Sequence, residues 1–229
     1  ALRGKQYTVN NEDLAKDLST NGVFPKAWKR TEKGFSLLKD GGIEVVEKEL
    51  LSSKICQCFD VKQVIYNRSV FAEEPVTISE NITSKDFSIV SMEAFEVYSQ
   101  NHDRNIRKYI LSLDKHDYYM MNIIDYLVGN TDRHWGNWGV LVNNANNKPV
   151  SLHPLMDFNK TFNSYDGIEG SNCQTCFGKK VSQKEAALYA VGKIGLNQIK
   201  EIDYNWFEYF PEYVGMFKKR YGILKRIND

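Results

Sequence analysis

Met120, Met121, Ile123, Ile124, Leu127 and Val128 recur at three- and four-residue steps, so the chain predicts a buried helix over residues 117–128. Gly129 follows, where a left-handed cap can end it. Leu51, Ile55 and Phe59 at four-residue steps predict a second helix over 44–59. Short apolar runs at 138–142 and 150–155 flank Asn143-Asn144-Ala145-Asn146-Asn147, the pattern of two strands joined by a polar turn. Nearer the start, Asn11 caps a short helix through Leu18. Residues 23–30 read as a strand, Glu32-Lys33-Gly34 as a turn and 35–39 as the returning strand. Further strands are expected at 63–66 and 70–72, a crossing between the two halves around 88–90, and aromatic-rich helices at 183–192 and 205–221. The expected fold is α+β, with a small β-rich N-terminal part (1–87) and a mainly helical C-terminal part (88–229).

With 229 residues, 42% of them apolar and 13% aromatic, the chain can bury one sizeable core or two small adjacent ones. Its formal charge of +1 supplies no global field to recruit nucleic acid or an anionic membrane. The apolar runs fall short of a bilayer span, and Arg3 and Lys5 lead into polar sequence instead of a secretory h-region, so a cytoplasmic protein is expected. The first residue is Ala1 and not Met, which leaves an upstream domain open.

The chemistry concentrates in Asp132-Arg133-His134-Trp135-Gly136-Asn137, followed by Asp157-Phe158-Asn159. Any one of these Asn or Asp residues is an ordinary turn former. Together they give an acid able to accept or orient a hydroxyl proton (Asp132), and an amide oxygen and a carboxylate (Asn137, Asp157) able to hold Mg²⁺ against nucleotide phosphates. The predicted helix, loop, hairpin and strand end bring the three together. That set is the working kit of a phosphotransferase.

On these motifs the chain resembles the HipA-like kinases, and it is similar to the phosphoinositide kinases, whose catalytic loop also runs Asp-Arg-His-x-x-Asn. Phe24-Pro25-Lys26-Ala27-Trp28, Leu37-Leu38-Lys39 and a Glu-bearing helix extend the likeness over residues 22–162. The resemblance implies a two-lobed kinase that moves the γ-phosphoryl of ATP, with Mg²⁺, to protein Ser or Thr, its own residues included. It carries the phosphate-contacting lysine onto Lys39 and that lysine's carboxylate partner onto Glu49, with Glu44 and Glu47 as competitors. His134 fits either stabilisation of developing phosphoryl charge or bracing of its loop. A Gly-rich phosphate loop is absent. Ser19, Thr20, Asn21 and Gly22 are its best substitute, and they read equally well as a helix-to-strand turn.

Two readings compete with a protein kinase: a small-molecule or phosphoinositide-like kinase using the same residues, and a non-catalytic nucleotide- or partner-binding module. Cys56, Cys58 and the pair Cys173-x-x-Cys176 lack the histidine spacing of a zinc site, so reduced thiols are expected, with a redox pair at Cys173 and Cys176 as the alternative. Arg133 is expected to pair with an acid or carbonyls, and His153 to be a satisfied core residue. Lys218, Lys219, Arg220, Lys225 and Arg226 are expected to form a solvated helix face.

Overall fold

The computed structural model describes residues 25–228 apart from 33, 103 and 164. The expected helix at 11–18 and the candidate cradle Ser19, Thr20, Asn21 and Gly22 lie outside the described residues. Four strands, β1 (Lys26–Thr31), β2 (Gly34–Lys39), β3 (Asn67–Phe71) and β4 (Glu74–Glu80), pair antiparallel in the order β1-β2-β4-β3. Helix α1 (Ile43–Cys56) packs against them. A second sheet of β5 (Phe87–Ser91), β6 (Gly139–Asn143) and β7 (Lys148–Leu152) is joined by α2 (Met92–Gln100), α3 (Ile106–Val128), α4 (Gln183–Ile194) and α5 (Tyr213–Asn228). The architecture is two-lobed and kinase-like, a β-sheet region followed by a mainly helical body. No helix among the described residues is long and apolar enough to cross a membrane.

The sequence pattern missed β4, one of the two inner strands of the first sheet. Phe71 pairs with Glu74, so the β3–β4 hairpin turns on Ala72 and Glu73 alone, both at positive φ (51° and 66°). A two-residue turn of that geometry normally carries Asn or Gly, and Pro75 further disguises the strand. The expected strand at 63–66 is reduced to one bridge, Gln63 to Leu155. The crossing expected at 88–90 is itself strand β5, paired with β6 from Phe87–Asn143 to Ser91–Gly139. At 205–221 the single expected helix divides into a 3₁₀ turn, Tyr204–Phe207, and α5. Pro211 lies between them, and a proline disfavours the helical conformation of the residue before it.

Helix α3 is kinked at Asp114 (φ −154°, ψ 73°), whose Oδ1 accepts the backbone N–H of Asp117 at 3.3 Å. The periodic segment expected to begin at residue 117 is therefore a separately capped helix. It ends at Gly129 (φ 60°, ψ 45°), where a Cβ would lie 2.5 Å from the Tyr165 ring. Its buried face joins Leu51, Ile55, Trp138, Phe158, Phe162, Phe217 and Leu224 in one core.

Arg220 is a correction to the solvated helix face. It is buried, donates to the carbonyls of Tyr126 (2.7 Å) and Gly167 (2.6 Å), and lies over the Tyr165 ring. Lys218, Lys219, Lys225 and Arg226 are exposed as expected. His153 is buried and its Nδ1 meets the Pro154 carbonyl at 2.8 Å, but its Nε2 has no partner among the described residues. It is a core residue only half satisfied, and burial pulls its pKa down to about 4.

Candidate active site

Strand β2 lies between β1 and β4, which places Lys39 opposite Lys26 on one side and Thr77 on the other. The chain then turns on Asp40, whose Oδ1 accepts the N–H groups of Gly41 (2.7 Å) and Gly42 (3.0 Å), and α1 begins. This tight return lays the second turn of α1 against the end of β2. Lys39 Nζ contacts Glu49 Oε1 at 2.8 Å and Asp157 Oδ1 at 2.6 Å, while the Thr77 hydroxyl donates to Glu49 Oε2 at 2.7 Å. Lys39 and Glu49 are almost wholly buried, with side-chain exposures of 5% and 1%. Glu44 instead pairs with Lys48, and Glu47 with Arg68 of β3.

Arg133 organises the Asp132 loop. Buried, it grips Asp125 of α3 through Nε (2.9 Å) and Nη2 (3.0 Å), and its Nη1 donates to the carbonyls of Asn137 (3.0 Å) and Met156 (2.6 Å). One guanidinium thus ties the core helix to the loop and to the residue before Asp157. Bidentate pairing of this kind fixes geometry as well as charge. Asp132 N–H donates to Asn130 Oδ1, and its carboxylate meets Lys160 Nζ at 3.1 Å. Asn137 Nδ2 donates to the Asp132 carbonyl at 2.8 Å. His134 is exposed, and its Nδ1 accepts the Gly136 N–H at 3.0 Å. That bond braces the loop and makes Nε2 the proton-bearing nitrogen of the neutral ring.

Asp157 leaves the hairpin at φ 61°, a left-handed conformation uncommon for a residue with a side chain. Its N–H donates to the Tyr66 hydroxyl at 3.0 Å. Strain held this way is concentrated at functional positions. Burial works to raise the Asp157 pKa, but Lys39, with smaller help from Lys26 and Arg133, holds it below the usual carboxylate range. Burial likewise opposes the charge on Lys39, and Glu49 and Asp157 reverse that and keep it firmly protonated. Burial and then the neighbouring Lys39 lower the Lys26 pKa.

Lys39, Asp132, His134, Asn137 and Asp157 all line one cleft of about 470 Å³, with Lys26, Asn159 and Lys160. Glu49 stands behind Lys39. A larger depression of about 680 Å³ by the first sheet presents Glu32 and Glu80 and, among its described lining residues, none of the cleft's lysines or loop residues. Among the polar residues of the cleft, Lys26, Lys160 and Asn159 were not given roles from sequence. Lys26 is opposite Lys39 only once the hairpin register is known, and Lys160 reaches Asp132 only through the turn after Asp157. Asn159 Oδ1 is buried without a partner among the described residues. Its place beside Asp157 in the sequence was the available signal.

The two-lobed fold, carrying a buried Lys–Glu pair, a loop acid and a second acid at a hairpin end, is of the kinase-like fold class. The chain is similar to the Helicobacter pylori proinflammatory kinase CtkA, at TM-score 0.71 and 14% identity, covering 94% of each chain. It is also similar to Shewanella oneidensis MR-1 HipA, solved with HipB and operator DNA, at TM-score 0.54 and 11% identity over 93% of this chain and 67% of that one. At these identities the likeness is one of fold, and it meets the HipA resemblance of the sequence motifs. No family model and no curated protein matches the sequence.

Proposed function

We propose that the cleft binds Mg-ATP and that the protein transfers its γ-phosphoryl to a hydroxyl, most simply that of a protein Ser or Thr, its own included. The observation that carries this reading is Lys39 joined at once to Glu49 and Asp157 on the wall of a cleft that also holds Asp132 and Asn137. Lys39 would meet the phosphates, kept charged and aimed by Glu49. Asp132 would orient the acceptor hydroxyl and take its proton, and His134 Nε2–H would face the transferring group. The lobes would divide at residues 87 and 88.

The oxygen donors suit a hard cation. Asn137 spends its Nδ2 on the Asp132 carbonyl, Asn159 Oδ1 has no partner among the described residues, and Asp157 is held ionised. Asn137 and Asp157, with Asn159 beside them, would hold Mg²⁺, whose chemistry there is neutralisation of charge on the nucleotide phosphates. Incubation with Mg²⁺ and labelled ATP, alone and with a generic protein acceptor, a small alcohol or a lipid in separate arms, tests the proposal. Label on protein supports it. Label only on a small alcohol or lipid transfers the reading to that kinase class, and nucleotide binding without transfer in any arm reduces it to a binding module.

A further inference from the structure

Away from the phosphate cleft, the segment before α4 brings two thiols together. Cys176 Sγ–H donates to Cys173 Sγ at 2.8 Å, and neither cysteine is in a disulfide. Cys173 also contacts Asn122 Oδ1 and Thr175 Oγ1, each at 3.2 Å, and Thr175 Oγ1 donates to Asn122 at 2.5 Å. The turn is thereby anchored on α3, with both cysteines half-buried. Cys56 and Cys58 are buried, and burial raises both their pKa values, which leaves them poor nucleophiles. The hydrogen bond from Cys176 brings the Cys173 thiol down to about 7, and the same bond pushes Cys176 up.

Cys176 opens into a cavity of about 280 Å³ walled by Tyr118, Tyr119 and Tyr189, with Arg107 and Lys179 at its side. Glu185 also lines it, but its carboxylate accepts the Ser182 N–H in the capping box of α4. We propose that Cys173 and Cys176 are a thiol–disulfide exchange site that accepts small anionic disulfides from this cavity and closes to an intramolecular disulfide. Once the pair has lost one proton, the two sulfurs share the other along their existing hydrogen bond, and whenever it rests on Cys173 the Cys176 sulfur that faces the cavity is the thiolate. The Cys176 thiolate attacks one sulfur of the small disulfide, forms a mixed disulfide and releases the first small thiolate. That thiolate takes the proton from Cys173, and the Cys173 thiolate then attacks Cys176 Sγ and expels the second. The second leaving thiolate is protonated by solvent, which received the proton Cys173 had lost at the outset. Two protein thiols are oxidised, and one disulfide is reduced to two thiols.

The site is wired to the candidate catalytic loop. Gln174, between the two cysteines, accepts Trp135 Nε1–H at its carbonyl (3.0 Å) and donates its side-chain amide to the Thr131 carbonyl (2.9 Å). A disulfide would hold Gln174 against residues on both sides of Asp132. Any effect on phosphotransfer rests on the function proposed above, whereas disulfide formation itself does not.

The test is to equilibrate the full chain with glutathione disulfide and glutathione at a series of ratios, trap free thiols by alkylation, and map peptides by mass. The expected result is a reversible Cys173–Cys176 bond, a raised melting midpoint for the oxidised protein, and a persistent mixed disulfide on Cys176 in Cys173→Ser. Cystamine, a cationic disulfide, should react more slowly than glutathione disulfide, and Lys179→Ala should narrow that difference. A terminal glutathione adduct on the unsubstituted protein, oxidation only at Cys56 and Cys58, or no change at any ratio would overturn the exchange site. Equal or faster reaction with cystamine would overturn its preference for anions. All of these readouts are independent of kinase activity, so this inference and the proposed function can fail separately.

Discussion

In the four-stranded sheet, the buried apolar cluster among the described residues is Leu38 and Val76, with Phe71 and Ile78 packed against it. The rest of the chain gathers its apolar side chains, from Leu51 on α1 to Leu224 on α5, around one large core. Each region also buries an ion pair, Lys39–Glu49 in the first and Arg133–Asp125 in the second. The surroundings differ. Arg133 is embedded in the large core and its guanidinium is satisfied by Asp125 and two carbonyls, so it serves as a fixed strut. Lys39 sits where apolar packing is thin, and it faces a cleft through Asp157. A buried pair adds little net stability but is costly to break. In the sheet region, the groups proposed to handle phosphate are therefore also groups that hold the fold.

The largest effects expected are on those two pairs. Removing one partner strands a buried charge, so Lys39→Ala and Arg133→Ala should each lose about 3–5 kcal/mol of unfolding free energy by denaturant titration. Glu49→Ala should cost less than Lys39→Ala, because Asp157 remains on Lys39. The double variant Lys39→Ala/Glu49→Ala should fall well short of the sum of its singles in stability and in turnover. Additive losses would mean the two residues act apart, and the contrast with the Arg133 strut would collapse.

Next comes a pH effect confined to the helical region. His153 has its pKa pulled from 6.5 to about 4 in the folded protein. As pH falls below 6.5 the unfolded chain takes the proton first, so stability present above that value is lost down to about pH 4, by up to about 3 kcal/mol. Asp157, with a depressed pKa, acts in a lower window, its contribution being lost as pH drops below the ordinary 3.8. His153→Leu should flatten the melting midpoint between pH 6.5 and 4 and leave the steeper fall below it. A midpoint that tracks pH identically in both proteins would show that His153 does not titrate there.

The third effect divides binding from chemistry within the cleft. Asp157→Asn should abolish phosphotransfer and most of the stabilisation by Mg-ATP, which at a hundred times the dissociation constant is about 2.7 kcal/mol. Asp132→Asn should keep that stabilisation while its rate falls by about 10²-fold or more. Thermal shifts beside a phosphotransfer assay separate the two, and parallel behaviour would leave Asp132 without a distinct role.

The helical region was the more legible in sequence because its elements are long and periodic. The helix at 117–128 and its Gly129 stop were readable from apolar spacing and one residue. Strand β4 was not, because its hairpin turn places Ala72 and Glu73 at positive φ, where sequence gives no warning. The candidate site split the same way. Asp132, Asn137 and Asp157 stood in recognisable order, and Lys39 and Glu49 followed from family resemblance. Lys26 and Asn159 depend on register and burial, which no short window encodes. Arg220 looked like one more cation in a basic stretch, and only the packing of α5 turns it inward.

The smallest effect bears on Lys160, which tests whether a part-exposed contact can matter as a buried one does. Its ammonium meets Asp132 at 3.1 Å with 41% of the side chain exposed, so as an ion pair it should contribute no more than about 1 kcal/mol to stability. Its place is another matter, because the acid it holds is the one proposed to orient the acceptor hydroxyl. Lys160→Met should therefore leave the unfolding free energy nearly unchanged, yet slow phosphotransfer about tenfold, equivalent to about 1.4 kcal/mol on the barrier. If Lys160 positions Asp132, the loss should appear in kcat, with KM for ATP little altered. Lys160→Arg, which retains the charge, should recover part of the rate. A rate unchanged in Lys160→Met would make the contact an ordinary surface pair, and the working part of the cleft would then be confined to the buried residues.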